Sequence, residues 1–490
     1  MTRRSVRRDA ARAGALPRSD RRRRRRTLVV AVTTVVALTA FLPGVAIAQT
    51  PSGSTPFPKP KLATPLLSAR RVPDLMRARI ADEKLRTAVQ AIFADAPPAS
   101  CLTISLHGRT IFRANGDTPL EPASTNKVLT ATGVLAAFSP DDKLATTAVA
   151  QAAPQGGVIQ GNLWLVGGGD GILTTPGYQL DDKDQIETDF GLLADNLKAA
   201  GVTEIQGDIV GDDSRFDGER YVPSWPKRYQ GENTVGPLSA LTVNDGVTGY
   251  STSPEKQTTK YKAGNPPALA AETLKTYLTD RGVKVSGGPT VGTAPGGAVE
   301  VARIETSIRD ELTEMLSWSD NTTAELLNKE LGFKVHGAGT TANGIRSTTA
   351  TLTAMGVPTQ GLNIVDGSGL DDGNRLTCDL LNAVLDKQGP DSALAGSLSI
   401  WAKRGTLRKK LRNTPLDGKV LGKTGTLTNP PVAALTGFET TRSGEILTFS
   451  FIQNGLQSDA GLSDRAALAM FEYPQAPDLS ELVPKAPTAR

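Results

Sequence analysis

The chain has 490 residues, enough for two or three domains with full cores, and 39% of them are apolar, which excludes a disordered chain. Its formal net charge is +5, but residues 1–26 contain twelve Arg and two Asp, so residues 27–490 carry a net −5 and disfavour a nucleic-acid-binding protein. Two Cys and two His exclude a disulfide scaffold and make a multi-histidine metal site improbable, so we expect no metal and no other cofactor.

The N-terminal residues 1–48 have the three parts of a secretory signal peptide. A run of Arg precedes an apolar stretch from Leu28 to Leu42, which is followed by Pro43-Gly44 and the cleavage pattern Ala46-Ile47-Ala48. The stretch is also just long enough to remain as an uncleaved membrane anchor. In both cases we expect an exported protein, in the cell wall or at the outer face of the cytoplasmic membrane. Residues 49–75 follow as a Pro-rich linker.

A strand hairpin over residues 101–114 is predicted next. The hairpin turns at His107-Gly108, which makes His107 a turn residue rather than a general base. Because an exported protein meets an oxidising environment, Cys101 and Cys378 could form a disulfide. Two buried free thiols are the alternative, since the sequence does not give the distance between the two Cα atoms.

A serine and a lysine open the next predicted helix. Ser124 and Lys127 are three residues apart and so share one helical face, and apolar residues at helical spacing follow from Val128 to Phe138. A hydrolase with few histidines needs another base, and a lysine with a lowered pKa is a known substitute. Ser253 and Lys256 repeat the spacing, but no apolar helix follows them, so we interpret that stretch as a surface loop.

Two later segments have the same order of features. Residues 193–211 and 273–292 each predict a helix, a glycine that ends it, and a strand. The glycines are Gly201 and Gly282, at positions typical of a helix C-terminus. The sequence leaves open whether this is a true internal repeat or a coincidence.

Two tripeptides follow further along the chain. Ser319-Asp320-Asn321 lies between the apolar Met315-Leu316 and a helical run over residues 324–331. Lys423-Thr424-Gly425 is predicted to open a strand. Each has an ordinary structural interpretation by itself, the first as a helix cap and the second as a turn.

The glycines around Lys423 could also indicate a phosphate-binding loop. Such a loop has four residues between its first glycine and the Gly-Lys-Thr, but Gly418 and Gly422 are separated by three. The helix that should follow the lysine is excluded by Pro430-Pro431, and the next segments read as strands. We therefore interpret Lys423-Thr424-Gly425 as a recognition element on an edge strand.

The motifs S-x-x-K, S-D-N and K-T-G in this order are typical of penicillin-binding proteins and class A β-lactamases. Ser124 and Ser319 are 195 residues apart, far more than in a class A β-lactamase. With blocks such as "PASTNKVLTA", "GNLWLVGGGD", "DGSGL" and "GKTGTL", the chain from about Met76 to Phe471 resembles the low-molecular-mass class C penicillin-binding proteins. These form the S13 peptidase family of D-alanyl-D-alanine carboxypeptidases and endopeptidases.

The resemblance implies a mixed α/β fold of the serine β-lactamase and penicillin-binding-protein type. Its catalytic domain, an antiparallel sheet flanked by helices, would consist of residues 76–142 and 301–475, with its first helix at residues 88–96. An inserted α/β domain would occupy residues 143–300, and residues 476–490 would form a tail. Family members carry two nested inserted domains, whereas the short passage between blocks indicates that the second is missing here or reduced to a loop.

The resemblance also assigns catalytic roles, in a serine-type carboxypeptidase acting on peptidoglycan stem peptides that end in D-Ala-D-Ala. Ser124 would be the nucleophile and Lys127 its general base, with a pKa lowered by burial and by a neighbouring cation, Lys423. Ser319 would relay a proton to the leaving amine, and Asn321 would hold the peptide amide. β-Lactams would inhibit the enzyme covalently.

Substrate binding is expected along the last motif. Lys423 would attract the terminal carboxylate, with Thr424 and Thr426 completing that pocket, and Gly425 would let the substrate backbone lie close to the strand. The backbone N–H groups of Ser124 and Thr426 would form the oxyanion hole, as they do in the family.

Two other functions remain open, a β-lactamase and a degenerate wall-binding protein. The intact motifs argue against the second. Glu325 starts an E-x-x-L-N sequence like that of class A β-lactamases, but we expect it to form an i, i+4 ion pair with Lys329. That interpretation disfavours efficient β-lactam hydrolysis.

Overall fold

The computed structural model describes residues 73–176, 178, 185–232, 234–248 and 261–475. The predicted signal peptide, nearly all of the linker, the predicted tail and the loop with Ser253 and Lys256 lie outside these ranges. None of the helices within them is long and apolar enough to cross a bilayer.

Two helices and a hairpin come first in the described chain: α1 (Pro73–Phe93), β1 (Ser100–Leu106), β2 (Arg109–Ala114) and α2 (Lys127–Ala137). The hairpin turns at His107 and Gly108, whose φ angles of 49° and 76° suit a two-residue turn between twisted strands. The predicted hairpin and its turn are confirmed, and the first helix starts earlier than the predicted residue 88.

Residues 143–307 contain short strands and two longer helices: β3 (Lys143–Ala150), β4 (Val158–Ile159), β5 (Leu163–Val166), β6 (Leu173–Thr174), β7 (Thr188–Asp189), α3 (Gly191–Ala199), β8 (Glu204–Ile205), β9 (Ile209–Asp212), β10 (Val247–Thr248), β11 (Tyr261–Lys262), α4 (Pro266–Asp280), β12 (Lys284–Val285), β13 (Pro289–Val291) and β14 (Val299–Ser307). The segment begins and ends in paired strands, because β3 and β14 are antiparallel neighbours.

The remaining elements are mainly helical before residue 398 and mainly strands after it: α5 (Ile308–Thr313), α6 (Asn321–His336), α7 (Thr341–Ala354), α8 (Cys378–Gln388), α9 (Ala393–Ser397), β15 (Ser399–Ile400), β16 (Val420–Thr428), β17 (Pro431–Thr440), β18 (Ile446–Asn454) and α10 (Ala460–Phe471). The strand with Lys423 begins at Val420, so the motif lies in the middle of β16 and does not open it.

The main sheet is antiparallel and joins the two ends of the described chain. Its strand order is β15-β16-β17-β18-β1-β2, with β1 paired to β18 and Ser100 opposite Gln453. On one face α1 and α10 pack with side chains such as Leu85, Phe449 and Met470. On the other face α2 and α8 pack against the sheet. The predicted mixed fold, with an antiparallel sheet flanked by helices, is confirmed.

The two segments with the same order of helix, glycine and strand lie side by side in the middle of the chain. α3, β8 and β9 form one layer, and α4, β12 and β13 form the next, with β12 parallel to β8 and β13 parallel to β9. Gly201 and Gly282 end the two helices in the left-handed conformation, with φ angles of 86° and 80°. β4 and β5 form a third layer, which the sequence analysis missed because no helix precedes it.

The core of residues 143–307 is largely separate from that of the main sheet. Apolar side chains of α3, α4, β5 and β9 form one cluster, which β14 joins through Ala302 and Ile304. A smaller cluster around Trp225 and Tyr229 also includes Leu326 of α6. β14 extends across the predicted domain boundary at residue 300. Because the whole of β14 pairs with β3, a domain boundary after β14 fits the structure better. The division into a catalytic and one inserted domain stays a prediction.

A disulfide joins parts of the chain that are far apart in sequence. Cys101 on β1 is bonded to Cys378, the first residue of α8, and their Cα atoms are 5.9 Å apart. Both residues are fully buried against the sheet. Of the two alternatives that the sequence left open, the disulfide is confirmed, and it links segments 277 residues apart.

Candidate active site

Ser124 lies at the entrance to α2. A 3-10 turn at Ala123–Asn126 carries the serine, and α2 begins at Lys127 rather than at Ser124. The turn and helix place the two side chains one above the other, with Lys127 Nζ 3.0 Å from Ser124 Oγ. The predicted serine and lysine pair is therefore present as a hydrogen-bonded pair.

Lys127 is fully buried, and its Nζ is surrounded by oxygen atoms. Besides Ser124, it contacts Asn321 Oδ1 at 2.6 Å and the backbone oxygen of Ser368 at 2.8 Å. Burial lowers the pKa of Lys127 to about 8, although nearby carboxylates, chiefly that of Asp320, oppose this shift. Burial is thus the main cause of the lowered pKa of Lys127, and the contribution that we expected from Lys423 stays a prediction.

The S-D-N motif forms a tight junction between two helices. α5 continues into a π-helical turn that ends at Trp318, and Ser319 then takes a left-handed conformation with φ 66° and ψ 29°. The Asp320 carboxylate caps α6 by accepting a hydrogen bond from the Thr323 N–H at 2.6 Å. The reversal at Ser319 directs its side chain toward Lys423, while Asn321 reaches Lys127 from the first turn of α6. Such a conformation is costly for serine and is often found at functional sites.

Lys423 is the second fully buried lysine of the site. Its Nζ lies 2.8 Å from Ser319 Oγ and 2.9 Å from the Thr424 backbone oxygen. Burial, and then the charge of Lys127, holds the pKa of Lys423 well below its usual value.

The outer edge of β16 is open beside this motif in the part of the chain that the structure describes. β15 pairs only with Leu421 and Gly422, so β16 continues past it with no described strand paired on that side. Thr424 Oγ1 lies 2.8 Å from Thr406 Oγ1, and Thr426 is exposed further along the strand. This geometry fits a recognition element on an edge strand.

The structure explains why position 425 is a glycine, in a way that the sequence analysis did not foresee. A Cβ atom at this position would lie 2.7 Å from the backbone oxygen of Pro122 and 3.3 Å from Cβ of Ala123. β16 therefore approaches the turn with Ser124 too closely for any larger residue. The glycine sets the distance between the strand and the nucleophile.

Glu325 and Lys329 do not form the predicted i, i+4 ion pair. Glu325 Oε1 accepts a hydrogen bond from the Ser368 N–H at 2.7 Å, and Oε2 accepts one from the Gly367 N–H at 3.1 Å. Lys329 Nζ instead binds the carboxylate of Asp217. Both side chains are fully buried, so each pairs with the element packed against it rather than with its neighbour on the helix.

Residues from the middle of the chain form one side of the site, which the sequence analysis did not predict. Asn321 Nδ2 donates a hydrogen bond to the backbone oxygen of Thr234 at 2.7 Å. Trp225 Nε1 donates one to Asp366 Oδ2 at 2.8 Å, between two buried groups. The block "DGSGL", residues 366–370, could have indicated this contact region, because its two glycines allow close approach.

Neither histidine belongs to the site. His107 is exposed in the hairpin turn, as predicted. His336 ends α6, fifteen residues after Asn321, which places its backbone about 22 Å along the helix. Its Nε2 lies 3.0 Å from Ser347 Oγ. A lysine is therefore the available base beside Ser124.

The chain is similar to several known proteins. A carboxypeptidase of Mycobacterium tuberculosis is 29% identical over 428 residues, covering 84% of this chain and 88% of its own. The D-alanyl-D-alanine carboxypeptidase of Actinomadura sp. is 28% identical over 450 residues, covering 76% of this chain and 81% of its own. The crystal structure of penicillin-binding protein 4 from Haemophilus influenzae has the same fold, with a TM-score of 0.63, 22% identity, and coverage of 78% and 97%.

The sequence model of the D-Ala-D-Ala carboxypeptidase 3 (S13) family matches residues 78–263 and 251–475. These matches run from the first described helix to the end of the last one. The resemblance that the motifs indicated is confirmed, and the chain belongs to the D-Ala-D-Ala carboxypeptidase 3 (S13) family of serine peptidases.

Proposed function

We propose that the protein is an exported D,D-peptidase that cleaves the D-Ala-D-Ala end of peptidoglycan stem peptides, or the cross-link made from it, through an acyl-enzyme on Ser124. The observation that carries the proposal is the position of Lys127 Nζ, between the hydroxyl of Ser124 and two backbone or amide oxygens. The signal-peptide pattern of residues 1–48 supports export.

The neutral form of Lys127 is arranged to act as a base. A neutral amine has two N–H bonds and one lone pair. Asn321 Oδ1 and the Ser368 oxygen can accept the two hydrogens, which leaves the lone pair directed at Ser124 Oγ. Lys127 then takes the hydroxyl proton while Oγ bonds to the carbonyl carbon of the penultimate D-Ala.

The following steps involve the other two motifs. The bond from that carbon to the nitrogen of the terminal D-Ala then breaks, and the proton that Lys127 took from Ser124 passes to the leaving amine through Ser319. Water then attacks the ester and gives a proton to Lys127, which returns it to Ser124 Oγ as the new carboxylic acid leaves. The N–H groups of Ser124 and Thr426 would hold the oxyanion, and the second Nδ2 hydrogen of Asn321 would bind the peptide carbonyl.

Lys423 would bind the terminal carboxylate, with the hydroxyls of Thr424 and Thr426 beside it. Burial favours the neutral form of this lysine, whereas a carboxylate placed next to it favours the ammonium. Substrate binding would therefore charge Lys423 and strengthen the ion pair that holds the substrate.

The function is tested with purified protein, a fluorescent penicillin and a peptide ending in D-Ala-D-Ala. We expect one penicillin per protein on a denaturing gel, slow release of the label, and D-Ala from the peptide. Fast turnover of penicillin would indicate a β-lactamase, and no labelling with no D-Ala would indicate a wall-binding protein. The position of Glu325 argues against the β-lactamase, since both its oxygens are engaged by backbone amides.

Acylation should depend on pH through Lys127. Only the neutral lysine can accept the proton of Ser124, so the second-order rate constant for acylation should rise about tenfold per pH unit below pH 8 and level off above it. The measurement uses a penicillin that does not itself titrate, with circular dichroism at each pH to confirm folding. A rate that is constant between pH 6 and pH 8 would contradict this role of Lys127.

A further inference from the structure

A short turn beside the site is held by side chains from several elements. Residues 366–370 present the Ser368 backbone oxygen to Lys127 Nζ at 2.8 Å. Three consecutive N–H groups of this turn donate to carboxylates: those of Gly367 and Ser368 to Glu325, and that of Gly369 to Asp366 Oδ1 at 2.7 Å. The Ser368 oxygen shares its peptide group with the Gly369 N–H that Asp366 holds, and Glu325 holds the N–H groups of the two preceding peptide groups. Together these bonds set the direction in which the Ser368 oxygen points.

The peptide group between Gly367 and Ser368 is held at both ends. Its N–H donates to Glu325 Oε1 at 2.7 Å, and its oxygen accepts a hydrogen bond from Thr130 Oγ1 at 2.6 Å. The turn has no room to shift toward the nucleophile, since a Cβ atom on Gly369 would lie 2.0 Å from the Ala123 oxygen. Thr130 is on α2 and Glu325 is on α6, so the turn is clamped between two helices.

One helix thus controls both oxygens that receive the hydrogens of Lys127. Asn321 and Glu325 are four residues apart on α6 and share one face. Asn321 supplies its own oxygen, whereas Glu325 acts on the second oxygen through the amides of the turn.

We propose that Glu325 is a positioning residue that keeps the Ser368 oxygen aimed at Lys127, and through it keeps the lone pair of the base aimed at Ser124. The inference rests on the proposed function of Ser124 and Lys127. Glu325 touches neither of them directly, so its loss should slow the acylation step and leave the binding of the ligand nearly unchanged.

Three charged or titratable groups lie close to Glu325 and Lys127. Asp366 faces Glu325 from the turn, Asp320 lies at the start of α6, and Lys423 approaches Lys127 from β16. Burial and the Asp366 carboxylate raise the pKa of Glu325, and its amide donors act in the opposite direction. The test therefore compares the acylation rate constants of the variants at a single pH above 8, rather than the pH at which each rate profile changes slope.

The experiment measures penicillin acylation in the full exported chain with Glu325→Gln, which replaces one acceptor oxygen with an NH2 group facing a backbone N–H. Stopped-flow data separate the first-order acylation constant k2 from the dissociation constant K of the noncovalent complex. We expect k2 per titrated active site to fall tenfold to a hundredfold, and K to stay within about twofold, since misplacing a catalytic group costs rates of this size.

Glu330→Gln is the matched control. Glu330 is also buried on α6, but its carboxylate binds Arg215 at 2.7 and 2.6 Å and does not contact the turn. Its substitution reports the general effect of losing a buried carboxylate from this helix, and both constants should stay within about twofold. Thr130→Val, which releases the same peptide group from its other end, should lower k2 about threefold to tenfold.

The outcomes are distinct. A fall in k2 with constant K in Glu325→Gln, absent in Glu330→Gln, supports the inference. An unchanged k2 in Glu325→Gln, or an equal fall in both variants, overturns it while leaving the Ser124 adduct and the proposed function intact. If Glu325→Gln does not fold, an unchanged k2 in Thr130→Val overturns it. Absence of any adduct in the unmodified protein overturns both the inference and the proposed function.

Discussion

Ser124→Ala should abolish covalent labelling by penicillin. The hydroxyl of Ser124 lies 3.0 Å from the buried amine of Lys127, and that amine is the base we assign to it. Removing the hydroxyl removes the atom that bonds to the β-lactam carbonyl, so no acyl-enzyme can form. Intact-mass spectrometry after incubation with penicillin should show a single adduct for the unmodified protein and none for the variant.

The matched control for this substitution is Ser253→Ala. Ser253 has a lysine three residues later, as Ser124 does, but we predict that it lies in a surface loop. Its replacement should leave the adduct unchanged. A penicilloyl group found by peptide mapping on any residue other than Ser124 would show that all three motifs have been assigned wrongly.

Lys127→Ala should leave the protein folded and slow acylation by about 10²–10⁴, the usual contribution of a general base. No histidine of the described chain is placed beside Ser124 to replace it. Removing a buried lysine also removes the cost of burying its charged form, which favours folding of the variant. The acylation rate constant and the thermal unfolding midpoint are measured on the same sample.

Lys334→Ala serves as the control for Lys127→Ala, because Lys334 is an exposed lysine on α6. It should acylate at the rate of the unmodified protein. Should Lys127→Ala retain a rate within about tenfold of that value, another group must act as the base and the proposed mechanism is wrong.

Much of the fold and site could be predicted, because the informative patterns were local. Ser124 and Lys127 are one helical turn apart, and the alternation of residues 101–114 with a turn at His107-Gly108 specifies a hairpin. The glycines at 201 and 282 marked two helix ends for the same reason. Local sequence determines such geometry almost alone.

Other features depend on contacts between distant segments, which one sequence does not reveal. The i, i+4 rule that suggested an ion pair of Glu325 with Lys329 applies to exposed helices, whereas both residues are buried and pair elsewhere. The Ser368 oxygen is a backbone atom, so no residue type indicates it. That both lysines of the site are fully buried, and that burial lowers the pKa of each, likewise depends on the packing of distant segments.

The pairing of β1 with β18 has a consequence for how the chain folds. Ser100 lies opposite Gln453, so the sheet that supports the nucleophile cannot close until almost the whole chain is present. Contacts between residues so far apart in sequence are formed slowly, since the intervening chain must first be ordered. A nascent or truncated chain that ends before Ile446 leaves β1 and β17 with unpaired edges, the kind of surface that promotes aggregation. Protection of these two edges during synthesis is therefore a requirement of this fold.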